Sequence, residues 1–184
     1  MDDSEAFRRA SDGFIQRARQ IRAEQWAGST PCSEWNVRAL VNHVGGEYMW
    51  VTELMGGKTI ADVGSQFDGD VLGDEPLARL SAAQGAAAAS FDEPDAGART
   101  VQLSFGATPA MDYARQMACD SVIHSWDLAR AIGADETLDA DLVDYAYAEM
   151  LRSAEDWRAG GAFGPVRTPA DDSTQAKLLA LTGR

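Results

Sequence analysis

Phe7, Ala10, Phe14, Ala18 and Ile21 recur at steps of three and four, which puts them on one face of an amphipathic helix predicted over Ser4 to Ala23. The run AGSTPCSEW then breaks the pattern with Gly and Pro. A second helix opens at Asn36, whose side-chain oxygen suits an N-cap, continues to Met55 and stops at Gly56-Gly57. Its stripe is Leu40, His43, Glu47, Trp50 and Leu54. Two polar groups therefore lie in a line otherwise fit for a core. Gly45 and Gly46 in mid-helix cost about 1 kcal/mol each relative to Ala, so they predict close packing or a local irregularity.

A Gly- and Asp-rich stretch, GKTIADVGSQFDGDVLGDE, reads as a loop. The third helix is predicted from Pro76 to Ser90, with Leu77, Leu80, Gln84, Ala87 and Phe91 on one face. RTVQLSFG alternates, with Val101, Leu103 and Phe105 on one side, and predicts one short strand or hairpin edge. The fourth helix is the clearest: Thr108 as N-cap, Pro109 at the first helical position, Arg130 in the last turn and Gly133 as the left-handed stop. A fifth runs from Asp139 to Trp157. A Gly/Pro-bearing loop follows, and AKLLALTG forms a short closing helix. The expected fold is all-α: a four-helix bundle with short extra C-terminal helices and one short strand or hairpin, in a single domain over 1–184.

Composition narrows the function classes. With 45% apolar residues in 184, the chain is globular rather than disordered. A net charge of −13 opposes nucleic-acid backbones and anionic membranes, which need clustered Lys and Arg. No run approaches the ~20 apolar residues of a membrane span. The N-terminus MDDSEAFRRASDGF has no apolar core, so it does not read as a secretory signal. Two cysteines, Cys32 and Cys119, suit a reducing cytoplasm.

The chain has only two histidines, His43 and His124. Asp120 and His124 are four apart, one above the other on a helix face, and Asp127 returns to the same stripe. Two such ligands supply one edge of a metal's coordination shell, and His43 on its own inner stripe is the natural third. Two imidazoles and a carboxylate leave positions open, the pattern of a catalytic rather than a closed zinc site. Spacing alone also fits a surface Asp–His hydrogen bond and a satisfied core histidine. Buried carboxylates, though, are costly unless paired or bound to a cation.

The stretches TPCSEWNVRALVNHV and HSWDLARAIG, with the ending KLLALTGR, together resemble the DinB-like bundle proteins of actinobacteria. More narrowly they resemble the metal-binding N-terminal domain family of mycothiol-dependent maleylpyruvate isomerase. The resemblance implies a four-helix bundle holding a divalent metal, zinc first, with nickel or iron as the other candidates. Its implied ligands here are His43, Asp120 and His124. The family's acidic ligand is usually glutamate, and Asp120 is one methylene shorter. Asp127 or Glu47 is then an alternative ligand or an acceptor for an imidazole N–H, with Asp127 the better placed.

Trp35 and Trp126 flank these segments as core packing or as pocket walls. Tyr113, Gln116 and Met117 lie one to two turns before Asp120 and are candidates to line the same cavity. Cys119 points about 100° away from Asp120 on an ideal helix. Cys32 as a nucleophile would need a spare histidine, so it is expected to be a buried structural thiol, and the nucleophile stays unassigned. There is no P-loop and no dinucleotide fingerprint.

The resemblance implies an enzyme that uses mycothiol as cosubstrate against a small electrophile, as a transferase or isomerase, with a homodimer among the possible assemblies. Maleylpyruvate isomerase itself carries a further C-terminal domain, whereas this chain ends soon after the bundle. The alternatives are a metal-dependent hydrolase with Glu47 or Asp127 as general base, a non-haem iron oxygenase, and a metal-stabilised binding protein without turnover.

Overall fold

A computed structural model describes all residues, Met1–Arg184. The chain forms two compact units, Met1–Ala134 and Asp135–Arg184. The first holds α1 (Asp3–Ala18), α2 (Val37–Met55), a single-turn α3 (Ile60–Val63), α4 (Pro76–Phe91), an antiparallel hairpin of β1 (Thr100–Leu103) and β2 (Gly106–Pro109), and α5 (Ala110–Ile132). The four long helices make the bundle. α5 packs on α1 and α2, and α4 packs on the same two helices from the other side. The successive helices α1 and α2 therefore sit diagonally, as do α4 and α5.

The core follows the predicted stripe in α1, but in α2 it is Val37, Val41, Val44, Tyr48 and Val51 that are buried beside Leu40 and Leu54, while His43, Glu47 and Trp50 of the predicted stripe are only half-buried. Phe7 and Phe14 of α1, Leu40 and Val44 of α2, Leu80 of α4, and Ile123 and Leu128 of α5 are all fully buried or nearly so. An aromatic chain runs through the bundle: Tyr48 meets Phe7 edge-on at 5.6 Å, Phe7 meets Phe91 at 5.1 Å, and Phe91 meets Tyr113 at 6.0 Å. Such edge-to-face pairs add about 0.5–1.5 kcal/mol each beyond the area they bury.

Helix ends show where local chemistry decides. Asn36 caps α2 by accepting from the Ala39 N–H at 2.8 Å. Gly133, at φ +69°, ends α5 in the left-handed region. α1 is shorter than its stripe predicts. It stops at Ala18, and the chain turns through Gln20 and Ile21 with three-residue hydrogen bonds before a short 3₁₀ turn at Ala23–Gln25. Ile21 is only partly buried, so one apolar residue beyond Ala18 did not hold another helical turn.

The start of α5 also differs. Thr108 is not its N-cap but pairs with Val101 across the hairpin, and the pairing runs on to Pro109, which takes the cap position without a side-chain cap bond. The Ala110 N–H goes to the Arg99 carbonyl at 3.0 Å, so the hairpin and not the Thr108 hydroxyl fixes this end. Phe105, expected beside Val101 and Leu103, lies in the turn and is 71% exposed. The third helix matches to within a residue, while α3 inside the Gly/Asp-rich loop is an element the pattern does not predict.

In the second unit, α6 (Ala140–Ala159) packs with α7 (Thr174–Leu181). Asp139 and Ser173 cap them. Trp157 stacks on Phe163 at 5.4 Å, and Arg158 donates to the Leu181 carbonyl at 2.6 Å. No helix in the chain is long and apolar enough to cross a membrane.

Candidate metal centre

Asp120 and His124 stand one turn apart on α5, with Asp120 Oδ1 3.3 Å from His124 Nε2. The neighbouring α2 brings His43, whose Nε2 is 4.0 Å from Asp120 Oδ2. The two imidazole centroids are 5.2 Å apart with their planes at 80°. One ligand atom from each of the three residues lies within 4.8 Å of the other two. Around a tetrahedral zinc, bonds of about 2.0–2.2 Å separate neighbouring ligand atoms by about 3.3 Å. The donor set and its spacing thus fit a divalent ion after small side-chain adjustment. Each Asp120 oxygen faces one imidazole, so the short carboxylate does reach both.

Asp127 is fully buried one turn further along α5. Its Oδ2 takes the His124 Nδ1–H at 2.9 Å, which turns Nε2 toward Asp120 and His43. Burial works against a charged His124 ring, but the Asp120 charge and hydrogen bonds with Asp120, Asp127 and Cys32 outweigh it, and the ring sits well above the ordinary histidine range. His43 goes the other way. Burial lowers it, Asp120 partly compensates, and His124 adds to the lowering. The two rings are therefore pushed in opposite directions, His124 toward the imidazolium and His43 toward the neutral form.

The loop before α2 delivers two more side chains. Its shape is set by Thr30, whose hydroxyl accepts the Cys32 N–H at 3.1 Å and donates to the Trp35 carbonyl at 2.9 Å. A bridge between Ser29 and Asn36 closes its base. Trp35 lies tilted over His43 at 4.5 Å and reaches His124 at 5.8 Å, so it forms a wall of the centre. Cys32, expected as a buried structural thiol, is only partly buried, and its Sγ lies 3.4 Å from Asp127 Oδ2. The sequence pattern gives no sign of this contact, because no helical or strand period relates residues 32 and 127.

Glu47 follows His43 by one turn. Burial pushes its carboxyl up to about 7, the Asp120 charge adds to the rise and His124 opposes it. Tyr113 is buried, and burial with the Glu47 and Asp120 charges raises its hydroxyl far above the ordinary value. Its ring packs edge-on against Phe91 at 6.0 Å. Met117 is buried and Gln116 partly exposed on the same helix. Trp126 is not brought to the centre in the same way: it is two residues from His124, about 200° round the helix, and the Arg130 guanidinium covers its ring at 5.2 Å. Cys119 is fully buried in α5.

The sequence model of the mycothiol maleylpyruvate isomerase N-terminal domain matches residues 7–129, a segment that runs from α1 through α5 and includes every residue of the centre. The chain belongs to this family. An uncharacterized protein of Mycobacterium tuberculosis, found in strains H37Rv and CDC 1551, is 33% identical over 172 residues, 94% of this chain and 88% of the relative. Among solved structures, a mycothiol-dependent maleylpyruvate isomerase superposes with a TM-score of 0.64 at 15% identity, over 89% of this chain and 72% of that one. A histidine-to-alanine variant of that enzyme superposes with a TM-score of 0.66 at 16% identity, with the same coverage. At such identities these two structures establish the shared fold.

Proposed function

We propose that this chain is a divalent-metal enzyme that activates a low-molecular-weight thiol of the mycothiol type for attack on a small electrophile, as a transferase or isomerase. The approach of one donor atom each from His43, Asp120 and His124 to within 4.8 Å of one another carries this reading. His43, Asp120 and His124 would hold the ion, with zinc favoured by the nitrogen and oxygen donors and nickel or iron compatible with them. Bound there, the ion would supply Lewis-acid stabilisation of a thiolate or a carbonyl at neutral pH.

The remaining chemistry belongs to the chain. Asp127 fixes the ring of His124, and Trp35 covers one side of the centre against water. Glu47, near neutrality at about 7, is suited to take the thiol proton. The thiol sulfur then bonds to the electrophilic carbon of an activated double bond, whose π bond breaks and whose electron pair moves to the conjugated carbonyl. In a transfer, Glu47 returns its proton to the atom that accepted the electron pair. In an isomerisation, after rotation about the former double bond, the pair on the carbonyl re-forms it, the C–S pair leaves with sulfur, and Glu47 returns the proton to the thiolate. Two free cysteines accord with the reducing cytoplasm in which such a thiol would work.

The same Glu47 supports a second reading, a metal-dependent hydrolase in which this carboxyl takes its proton from water. Metal analysis of protein purified without an affinity metal column should find about one divalent ion per chain. The loaded protein should accelerate addition of a mycothiol-type thiol to a maleyl-type electrophile, and chelation should abolish the acceleration. Ester or amide hydrolysis without any thiol would favour the hydrolase. A loaded protein that does neither would leave a binding function and overturn the proposal.

A further inference from the structure

We propose that Cys32 is a positioning residue of the centre: its S–H, donated to Asp127, holds that carboxylate against His124 Nδ1 and so fixes the direction in which His124 Nε2 points. This rests on the metal-centre reading above, and it gives the thiol a role other than nucleophile.

A fully buried carboxylate needs donors, because inside the protein nothing else replaces the hydrogen bonds it made to water. Two donors meet on the Oδ2 of Asp127, His124 Nδ1–H at 2.9 Å and Cys32 S–H at 3.4 Å. They arrive from different parts of the chain, one from α5 and one from the loop before α2. A second donor from another segment narrows the positions that oxygen can take while both bonds are kept. Cys32 is itself held in place. Its N–H is taken by the Thr30 hydroxyl at 3.1 Å, and its carbonyl takes the Trp35 N–H at 2.8 Å. The segment Thr30–Trp35 thus works as a clamp with two jaws, Trp35 over the imidazoles and Cys32 beneath the Asp127 that orients one of them.

Cys32 Sγ, Asp127 and His124 also lie within 4.8 Å of one another, a grouping that could itself hold a cation. The hydrogen-bond pattern favours positioning. A ligand role for His124 Nδ1 would require removing the proton it gives to a buried carboxylate, while Nε2 already faces Asp120 and His43.

The experiment compares the full chain with Cys32→Ala and Cys32→Ser, each checked for wild-type helical content. In the metal-free proteins, long-range proton–nitrogen NMR reads the imidazoles directly, and with two histidines in the chain the assignment is simple. Wild type and Cys32→Ser should show a His124 Nδ1–H protected from solvent exchange, and Cys32→Ala should lose that protection. Equal protection in all three overturns the proposal. In the second arm the probe is Co²⁺. Affinity should fall roughly 3- to 10-fold in Cys32→Ala, short of the 10–100-fold typical of losing a metal ligand's direct partner, and Cys32→Ser should recover it. A sulfur-to-cobalt charge-transfer band in wild type that Cys32→Ala abolishes would make Cys32 a ligand and overturn the proposal. If wild type takes up no Co²⁺ or Zn²⁺, the metal-centre reading fails, and the NMR arm still decides whether Cys32 positions His124.

Discussion

His124 Nδ1 and Asp127 Oδ2 are 2.9 Å apart, three residues from each other on α5, with the carboxylate wholly enclosed by protein. A buried carboxylate so placed does two things to the ring. It selects the tautomer whose free lone pair is on Nε2, and it strengthens that lone pair as a donor. Asp127→Asn keeps the shape but offers no charge and can present its NH₂ to the ring instead. Affinity for Zn²⁺ should fall about 10–100-fold, measured by competition with a chromophoric chelator. In the metal-free protein the same substitution removes one of the groups that raise His124, so the ring should titrate at lower pH by NMR. Unchanged metal affinity would separate Asp127 from the centre.

Glu47 gives a pH dependence with a definite sign. Its carboxyl titrates at about 7 in the folded chain and at 4.5 in its ordinary state. Between those values the folded protein keeps a proton that the unfolded chain has released. The metal-free fold should therefore lose stability as pH rises from 4.5 to 7. His124, raised above 6.5 in the fold, loses its stabilising contribution as pH rises above 6.5 through its raised value, so the two residues must be separated. Glu47→Gln does so. Thermal melts of the metal-free variant should be flatter across the lower window and higher than wild type at pH about 8, where the wild-type carboxylate is charged and buried. A variant that melts lower than wild type there would contradict the raised carboxyl.

The adjacent glycines of α2 separate two reasons for the same residue. A Cβ on Gly45 would meet Leu72 Cδ2 at 2.9 Å and Leu80 Cδ1 at 3.4 Å, and both leucines are fully buried. A Cβ on Gly46 would meet nothing within 4 Å. Gly46→Ala should therefore stabilise by up to about 1 kcal/mol through helix propensity alone. Gly45→Ala makes the same propensity gain but must displace packed leucines, at a cost of about 1–3 kcal/mol. In urea denaturation the Gly45 variant should fall below the Gly46 variant, and a result in the opposite order would refute the close approach of Leu72 to α2.

These residues also show how much the sequence could say. The extents of α2 and α4, the N-cap of α2 and the stop of α5 are set within each segment, so Asn36 and Gly133 could be read directly, whereas the face that α2 buries depends on its neighbours and was read one position off. The glycine pair could be read as an anomaly but not resolved, because only the fold brings Leu72 to one of the two. Thr108 and Phe105 were misread for a related reason. The hairpin's long-range pairing overrode a local cap signal and turned the chain one residue before an apolar side chain could face inward. At the centre, Asp120 and His124 share a helix and could be paired by spacing. The approach of His43 depends on how α2 packs on α5, which no period encodes; its place on a helix stripe made it a candidate, and the resemblance implied the same residue. Cys32 lies in a loop shaped by hydrogen bonds from Thr30, so its contact with Asp127 could be seen only in three dimensions.

Tyr48 and Ser121 tie α2 to α5 inside the core, and the direction of their bond decides what each substitution costs. The Ser121 hydroxyl gives its one hydrogen to the Met117 carbonyl at 2.8 Å. In the 2.9 Å contact between the two hydroxyls, Tyr48 must then be the donor. Tyr48→Phe removes that donor and leaves Ser121 still bonded to its own helix, so the loss should be about 0.5–1.5 kcal/mol, the net worth of one hydrogen bond. Ser121→Ala instead strands the hydroxyl of a tyrosine that is 1% exposed, and an unsatisfied buried donor costs about 1–3 kcal/mol. The double variant removes both partners and should be less destabilised than the sum of the single ones. Urea denaturation of the four proteins tests this order. If Tyr48→Phe costs more than Ser121→Ala, the tyrosine hydroxyl is not the donor and the bond runs the other way.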